Sequence, residues 1–567
     1  MRAPHPVSLH TRTVQDSRLV SRGLEEIAAL LRFQEQPKFK LQSYERAAQI
    51  VDTLGNDLGP LVEQDRLREL QGIGPSLSRQ IQELWNTGSS EYLTRLRQTE
   101  PEGAAELVRV PGLTPKRIRT LQAALPIRSV EELRDACRAG NVRGIRGFGE
   151  KTEQRLLAVC ERWLNRGPET AEPMLLSRAL ELAKLLEREL GEVAGDVRLA
   201  GALRRGEETV SEIEFVVAGA LEPALQRLSR LRQVLRIDLE HHAAYLTQGL
   251  RLKLHAAGSS LGTALLTATG PTAHVEAVRE LFGSRPLAGY DSERALYGAL
   301  GLSFVPPELR AGTGELEQAR AEDFADLIDG ADIQGFVHCH TTYSDGKNSI
   351  EEMALAAHAL GMKYITITDH SPSAHYAGGV TLERLKQQWD EIAAIQERVP
   401  IRILRGTESD ILADGSLDFP DAVLEQFDVV IASIHARHRL DRAAMTQRLE
   451  RAMALPLFKI WGHALGRILN HRDPIDCDVP AVLDALAGSR GAVEINADPH
   501  RLDLPPRWIP AARERGLPFV ISVDAHSTNG FDALKYGVLM ARRGGLRKRE
   551  VLNAQAPEAF AARVRPR

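Results

Sequence analysis

The stretch Val337-His-Cys-His-Thr-Thr-Tyr-Ser-Asp-Gly346 brings His338, His340 and Asp345 within ten residues of one another. On a strand, side chains at i and i+2 leave the same face, so the two imidazoles share one side while Cys339 faces the other. Two imidazoles and a carboxylate suit a metal ion. From Ile333 onward, β-rich runs alternate with helical ones: Gln334 to His340, Ile350 to Leu360, Tyr364 to Thr368, Leu382 to Val399, Ile401 to Gly406, Val429 to Ser433 and, later, Phe519 to Val523. Such alternation predicts a parallel α/β barrel with functional side chains at the C-terminal ends of its strands. Candidate ligands stand there. Asp369 and His370 follow Tyr364-Ile-Thr-Ile-Thr368, Glu408 follows Ile403-Leu-Arg-Gly406, and His435 follows Val429-Val-Ile-Ala-Ser-Ile434. His463 follows Lys459-Ile-Trp-Gly462, and Asp524 and His526 follow Phe519-Val-Ile-Ser-Val523.

A lone histidine after a strand is more often structural than a ligand, but a series at successive strand ends is a different signal. The set His-x-His with a downstream Ser-Asp-Gly, Thr-Asp-His, Gly-x-Glu, a strand ending in His, Gly-His, and Asp-x-His resembles the PHP (polymerase and histidinol phosphatase) domain across the C-terminal region. The resemblance implies a trinuclear metal cluster held by His338, His340, Asp345, His370, Glu408, His435, His463, Asp524 and His526. Mixed imidazole and carboxylate ligands favour manganese, with zinc or iron as alternatives, over magnesium alone. Asp410, on the strand face of Glu408, is a partner that would orient a histidine. Clustered dications activate water and neutralise a phosphodiester as charge builds up. Arg467 and Arg501 are each a candidate phosphate clamp and equally a structural cation. His358, His375, His438, His471 and His500 fall outside the motifs.

At 567 residues the chain is long enough for several domains, each with its own core. A net charge of -4 means that nucleic-acid binding, if present, comes from local patches or backbone donors and not from the whole-molecule field. Cys137, Cys160, Cys339 and Cys477 are too scattered for a disulfide framework or a structural zinc pair. A reducing cytoplasm fits this usage. Met1 to Arg18 has no apolar signal region, and no window approaches the roughly 20 apolar residues of a membrane span.

From about residue 19 to residue 165 the pattern is helical, interrupted by Leu70-Gln-Gly-Ile-Gly-Pro-Ser76, Val110-Pro-Gly-Leu-Thr-Pro-Lys116 and Ile145-Arg-Gly-Phe-Gly-Glu-Lys151. A glycine hairpin between helices lets the backbone approach a ligand and aims the next helix's free N–H groups at a phosphate. These segments resemble helix-hairpin-helix DNA-binding motifs, which points to Gly72, Gly74, Gly112, Lys116, Gly147, Gly149 and Lys151 as DNA-binding residues. Thr114 replaces the later glycine of the second copy and weakens it. Any one of them alone reads as a helix C-cap followed by an N-cap; three in a row favour DNA. Arg117, Arg119, Arg143 and Arg146 add cations beside two of the hairpins, suited to sequence-independent phosphate binding.

Residues 172 to 305 predict a helix and then β-type segments around Val197 to Ala200, Glu212 to Val217, Val234 to Leu239 and Leu250 to Leu254. Leu199-Ala-Gly-Ala-Leu-Arg-Arg-Gly-Glu-Glu-Thr-Val-Ser-Glu-Ile-Glu-Phe-Val-Val217 resembles the palm of a family X DNA polymerase. In that family two metal ions bridge an Asp-x-Asp pair and the nucleotide, and a third Asp stands on a neighbouring strand. Here Glu212 and Glu214 occupy the pair, and Lys253 stands at the third position, where an ammonium cannot ligate a metal. Ala202 replaces the serine after Gly201. Gly201, Arg204, Arg205, Thr269 and Gly270 remain as nucleotide-binding candidates; Thr267 and Ala268 replace two aromatics, and Val275 replaces an amide. Accurate placement of two ions is sensitive to carboxylate length, so these departures predict a weak or lost polymerase activity, with magnesium or manganese at the palm if it is active. Taken without the resemblance, Glu212 and Glu214 read as solvent-facing residues of an edge strand. Tyr297-Gly-Ala-Leu-Gly-Leu302 and Val305-Pro-Pro-Glu-Leu-Arg310 resemble the end of the thumb.

The whole chain thus resembles a bacterial family X DNA polymerase with a C-terminal PHP domain. The fold this implies is multidomain: an all-α helix-hairpin-helix N-terminal region, an α+β palm and thumb, and an α/β PHP barrel, distorted TIM-like and seven-stranded. The segments are 1–98 (N-terminal DNA-binding domain), 99–170 (fingers with further hairpins), 171–256 (palm), 257–311 (thumb), 312–332 (linker) and 333–567 (PHP). The implied function is DNA repair by a metal-dependent 3'-5' exonuclease. A working gap-filling DNA polymerase, a non-catalytic DNA scaffold and a small-molecule phosphatase are the alternatives; the hairpins argue against the last. The implied partners are gapped, nicked or broken duplex DNA and, if the palm works, dNTP, with no membrane, for a cytoplasmic, nucleoid-associated monomer.

Overall fold

Each of the three glycine hairpins closes the same turn. Ile73 N donates to Leu70 O at 3.0 Å, Leu113 N to Val110 O at 3.1 Å and Phe148 N to Ile145 O at 2.9 Å. The third residue of each turn is glycine with positive φ, Gly72 at 94°, Gly112 at 84° and Gly147 at 92°, as a type II turn demands. A helix starts three residues after each of these glycines: Pro75–Thr87, Pro115–Ala124 and Glu150–Leu164. Thr114 takes the same extended conformation at its helix N-cap as Gly74 does, and its hydroxyl accepts from Arg117 N. The threonine therefore leaves the second hairpin intact, contrary to the sequence expectation, because only the earlier glycine needs φ > 0.

The computed structural model describes residues 17–567 except 55–57, 71, 111, 165–172, 232, 247–248, 259, 439 and 567. Met1 to Asp16 and the 170/171 boundary lie outside the described residues. By contact density the chain forms two units. One comprises Met1–Ala171, Leu228–Asp238 and Ala244–Arg251, and the other Glu172–Arg227, Leu239–Ala243 and Leu252–Arg567. The six segments read from the sequence divide the chain more finely than this.

In the first unit, amphipathic helices such as Ser17–Phe33 and Lys38–Leu54 bury Val20, Leu24, Ile27, Ala47 and Val51 in one core that extends to Cys160. Two of the predicted cations serve this packing. Arg119 donates to Phe33 O and lies over its ring, and Arg143 pairs at 2.6 Å with Glu153, whose side chain is 2% exposed.

In the second unit the barrel strands are β1 (Gly335–Cys339), β2 (Tyr364–Ile367), β3 (Arg402–Asp410), β4 (Val429–Ser433), β5 (Lys459–Trp461), β6 (Gly491–Asn496) and β7 (Phe519–Ser522). They form a seven-stranded sheet in sequential order, with every neighbouring pair parallel. Runs such as Tyr364-Ile-Thr-Ile367 and Val429-Val-Ile-Ala-Ser433 are buried at every position, as strands covered on both faces require. Val523 N to Val337 O (3.1 Å), Ala525 N to His338 O (3.0 Å) and His340 N to Ala525 O (2.9 Å) join the end of β7 to β1.

The segment read as a linker carries the helix Glu315–Ala321 and buries Leu316, Ala319, Phe324 and Leu327 against Tyr297 and Phe282. Among the described residues, no helix is long and apolar enough to cross a membrane.

At the opposite end of the barrel from the predicted ligands, Lys459 begins β5 with no solvent exposure. Burial, helped by Arg490, pushes its ammonium down to about 7 from 10.5. Above about pH 7 the folded chain therefore holds fewer protons here than the unfolded one, so this group's penalty is full below pH 7 and fades as pH rises toward 10.5. Lys459→Met gives up the ammonium's hydrogen bonds to Leu455 O and Ser489 Oγ at any pH, so its melting temperature relative to wild type is expected to be more favourable at pH 6 than at pH 9. A difference from wild type that does not change with pH would contradict this account.

Candidate metal centre

The nine residues implied as ligands converge at the C-terminal ends of the barrel strands. Four groups have ligand atoms within 4.8 Å of one another: His340, Asp345, His370 and His526; His338, His340 and Asp524; His338, Glu408 and His463; and His370, Glu408 and His435. Glu408 is their centre. Its Oε1 lies 2.7 Å from His463 Nε2 and 3.2 Å from His435 Nε2, and its Oε2 lies 3.0 Å from His370 Nδ1, 3.3 Å from His338 Nε2 and 3.6 Å from His340 Nε2. Asp524 Oδ1 stands 3.4 Å from His340 Nε2, and Asp345 Oδ1 stands 3.4 Å from His526 Nε2.

The donor set fits divalent ions. His338 Nε2, both ring nitrogens of His340 and His370 Nδ1 are buried without a hydrogen-bond partner, a costly state that coordination would relieve. Burial and the neighbouring His526 push His340 down to about 4, keeping that ring neutral, whereas at His435 and His526 burial is outweighed by Glu408 and Asp345, which push those rings up to about 10 and about 9, so that ligation there displaces a proton. Burial opposes ionisation of Glu408, but His435, His338 and His370 outweigh it and hold its carboxyl well below the ordinary range.

The local backbone departs from the sequence picture at the opening motif. The β1–β2 register shifts between Phe336 and Cys339, and His338 adopts φ 67°. A bulge rather than simple alternation therefore aims His338, which still lies 5.2 Å from His340 between ring centroids. His463 (φ 24°) and Asp524 (φ 48°) are likewise non-glycine residues in the left-handed region. Such strain persists only where surrounding contacts over-determine it, and it concentrates at functional sites. Glu408 and Asp410 lie within β3, which runs to Asp410 and is longer than the predicted strand.

Several carboxylates hold the ligands in place. Asp410 Oδ1 lies 2.6 Å from His435 Nδ1, so the histidine that Asp410 orients from the strand face of Glu408 is His435. Glu494 was not singled out in the sequence. It lies 2.6 Å from His338 Nδ1 and accepts from the backbone N–H of His463. Its signal was a charged residue inside the apolar strand Gly491-Ala-Val-Glu-Ile-Asn496, which only an inward polar site accommodates. Asp369 stays outside the cluster and instead accepts from Thr341 N (2.8 Å), Thr341 Oγ1 (2.6 Å) and Gln388 Nε2 (2.7 Å), shaping the loop that carries Asp345.

Of the two candidate clamps, Arg467 is a structural cation. It donates to the carbonyls of Arg501 and Leu502 and pairs with Glu208 at 2.7 and 3.1 Å. Arg501 Nε lies 3.6 Å from Asp524 Oδ2, beside the cluster.

Among the palm candidates, Arg204 and Arg205 are joined to Thr269, and Glu214 is held by His255. Val197–Ala200, Glu212–Val217 and Arg251–Ala256 are successive neighbours in a five-stranded sheet, so Glu212 and Glu214 stand on an interior strand, not an edge. Glu214 Oε2 lies 2.8 Å from His255 Nε2, and the side chain folds over Gly201 so closely that a Cβ there would sit 2.2 Å from Oε1. His255 shares a strand face with Lys253 and was missed because nothing in the local pattern marks it. Arg204 donates to Thr269 Oγ1 at 2.7 Å and to Glu293 at 2.6 Å, and Arg205 donates to Thr269 O beside Gly270.

The hairpin candidates are presented to solvent. Gly74, Gly112, Gly147 and Gly149 have no atom within 4 Å of a would-be Cβ, and at Gly72 the nearest, Arg46 Cδ, is 3.5 Å away. Lys116, Arg146 and Lys151 are exposed.

Comparison with known proteins agrees with these features. A PHP domain family matches residues 337–497, a helix-hairpin-helix domain matches 16–90, and a SAM-like helix-hairpin-helix tandem matches 104–162. A DNA polymerase/3'-5' exonuclease PolX of Bacillus subtilis is 33% identical over 575 residues, spanning 96% of this chain and 99% of that protein. A probable phosphatase of Caldanaerobacter subterraneus (29% identity, 33% of this chain, 74% of its own) and a probable histidinol-phosphatase of Deinococcus radiodurans (29%, 33% and 85%) are similar over shorter stretches. The seven-stranded barrel, the tandem hairpins and 33% identity over nearly the full length of both proteins show that the chain belongs to the bacterial family X DNA polymerases that carry a C-terminal PHP domain.

Proposed function

We propose that the barrel is a manganese-dependent 3'-5' exonuclease acting on gapped, nicked or broken DNA in repair, and that the palm holds DNA without efficiently extending it. The observation that carries this reading is the contrast between two carboxylates. Glu408 faces five imidazoles whose nitrogens lack hydrogen-bond partners or converge on it, whereas Glu214 is engaged by His255 and lies over Gly201. Bound dications would supply Lewis-acid charge for the phosphodiester and acidify the attacking water. The chain's own residues would hold them: Glu408 reaches ligands of all four groups, Glu494 fixes the ring of His338, and Asp410 fixes that of His435. Arg501, whose Nε lies 3.6 Å from Asp524 Oδ2, is assigned to the substrate phosphate.

On this reading residues 1–98 and 99–170 grip the DNA backbone through the three hairpins, 171–256 and 257–311 are a palm and thumb with a degenerate nucleotidyl-transfer site, 312–332 connects them to the barrel, and 333–567 cuts. The protein would work at the nucleoid in the cytoplasm. Near full-length similarity to a polymerase/exonuclease supports the substrate class over a small phosphomonoester.

The test uses purified protein and manganese with 3'- and 5'-labelled gapped duplex, with and without dNTPs, beside His338→Ala and Glu214→Ala. Shortening from the 3' end that is lost only in His338→Ala is expected. Extension that disappears in Glu214→Ala would establish a working polymerase instead, and neither product would leave a scaffold.

A further inference from the structure

Beside the cluster, the loop after β2 carries a tyrosine to the surface. Tyr376 is 70% exposed, yet its ring centroid lies only 6.0 Å from that of His370 and 6.2 Å from that of His435. Among the described residues, Phe39 is the other large aromatic with comparable exposure, and it belongs to the other unit. A single exposed aromatic needs no explanation by itself; its setting does.

The loop that presents it is fastened on both sides. Ala374 and Ala377 are buried, and the turn His375–Ala377 is closed by Ala377 N to Ala374 O at 3.0 Å. Gly379 N returns to Ala374 O (3.2 Å) and Val380 N to His370 O (2.8 Å). Ser373 N donates to Asp418 (2.7 Å), and Ser373 Oγ donates to Asp410 (2.7 Å), the carboxylate that orients His435. Arg384 donates to Gly378 O at 2.9 Å. The ring is thus held in register with the ligands while its own surface stays in water. A rigid aromatic face offers stacking to any base at little ordering cost.

We propose that Tyr376 stacks on the base of the terminal nucleotide whose phosphodiester is at the metal cluster, and so sets the site's affinity for a 3' end. This rests on the nuclease reading above for its catalytic consequence. A ring this close to two ligand imidazoles is within one nucleotide's span of the phosphate, and a base still paired in duplex would have to leave its partner to reach it.

Two readouts test this. In the first, a single-stranded oligonucleotide with 2-aminopurine at its 3' end is mixed with the whole protein and calcium in place of manganese. The fluorescence is expected to be quenched by the wild type and by Tyr376→Phe, and not by Tyr376→Ala. Because the residue is exposed, neither change threatens folding. In the second, with manganese, Tyr376→Ala is expected to raise KM for a single-stranded end about tenfold with little change in kcat, and to have no effect on an end whose terminal nucleotide is abasic. Equal quenching by wild type and Tyr376→Ala overturns the proposal, as does Tyr376→Phe behaving like Tyr376→Ala, which would assign the effect to the hydroxyl. Quenching by the wild type without any shortening of DNA would uphold the stacking and refute the nuclease reading, so the two fail separately.

Discussion

Glu408→Gln is expected to strip the barrel of its metals and to reduce hydrolysis of DNA by about a thousandfold or more, the scale set by losing several kcal/mol of transition-state charge stabilisation. The side chain is 1% exposed, and its two oxygens reach five imidazoles at 2.7 to 3.6 Å. Glutamine preserves the shape, but one of its ends becomes an amide NH2 that donates and cannot ligate, and the negative charge that balances the surrounding dications is gone. Metal content per chain, measured after dialysis by elemental analysis, should fall along with activity. A variant that keeps both its full metal content and its activity would remove Glu408 from the centre of the site.

Glu293→Ala should produce the largest loss of stability, about 3–5 kcal/mol, because it leaves buried charge without a partner. Glu293 Oε1 accepts from Arg310 at 2.7 Å and Oε2 from Arg204 at 2.6 Å, and the Arg310 side chain has no exposure. Burial works against ionisation of Glu293, but Arg310 and Arg204 outweigh it and hold its carboxyl below the ordinary 4.5. With a lowered folded pKa, the contribution is fully present above pH 4.5 and is lost as pH falls through the folded value. The denaturation midpoint of Glu293→Ala should therefore lie well below wild type at pH 7 and converge on it in acid. Equal midpoints at pH 7 would mean that the two arginines find other partners.

Those arginines show where sequence reasoning stopped. Arg204 was legible as a cation after Gly201 in a palm-like stretch, and the fold does bring it to Thr269. Its commitment to Glu293, 89 residues away, was not legible. The same holds for Arg467. Its place in Gly-His-Ala-Leu-Gly-Arg suggested a phosphate clamp, but its partner Glu208 lies 259 residues earlier. Thr114 misled in the other direction: it looked like a weakening of the second hairpin, although the backbone requires glycine only at Gly112.

The readings that the sequence carried by itself rest on local physics. Positive φ at the third residue of a tight turn selects glycine, and this exposed the three hairpins. Apolar runs of strand length, each ending in an imidazole or carboxylate, marked the barrel, and the resemblance of their motifs to a PHP domain implied the nine ligands that the fold brings together. The tertiary structure decided how each charged group is used. It placed Glu494 under His338, kept Asp369 outside the cluster, turned His338 through a bulge and set Tyr376 at the mouth. The physical reason is that a charge acts on whatever stands within a few ångströms, and chain closure brings those neighbours together from distances in sequence that no local pattern records.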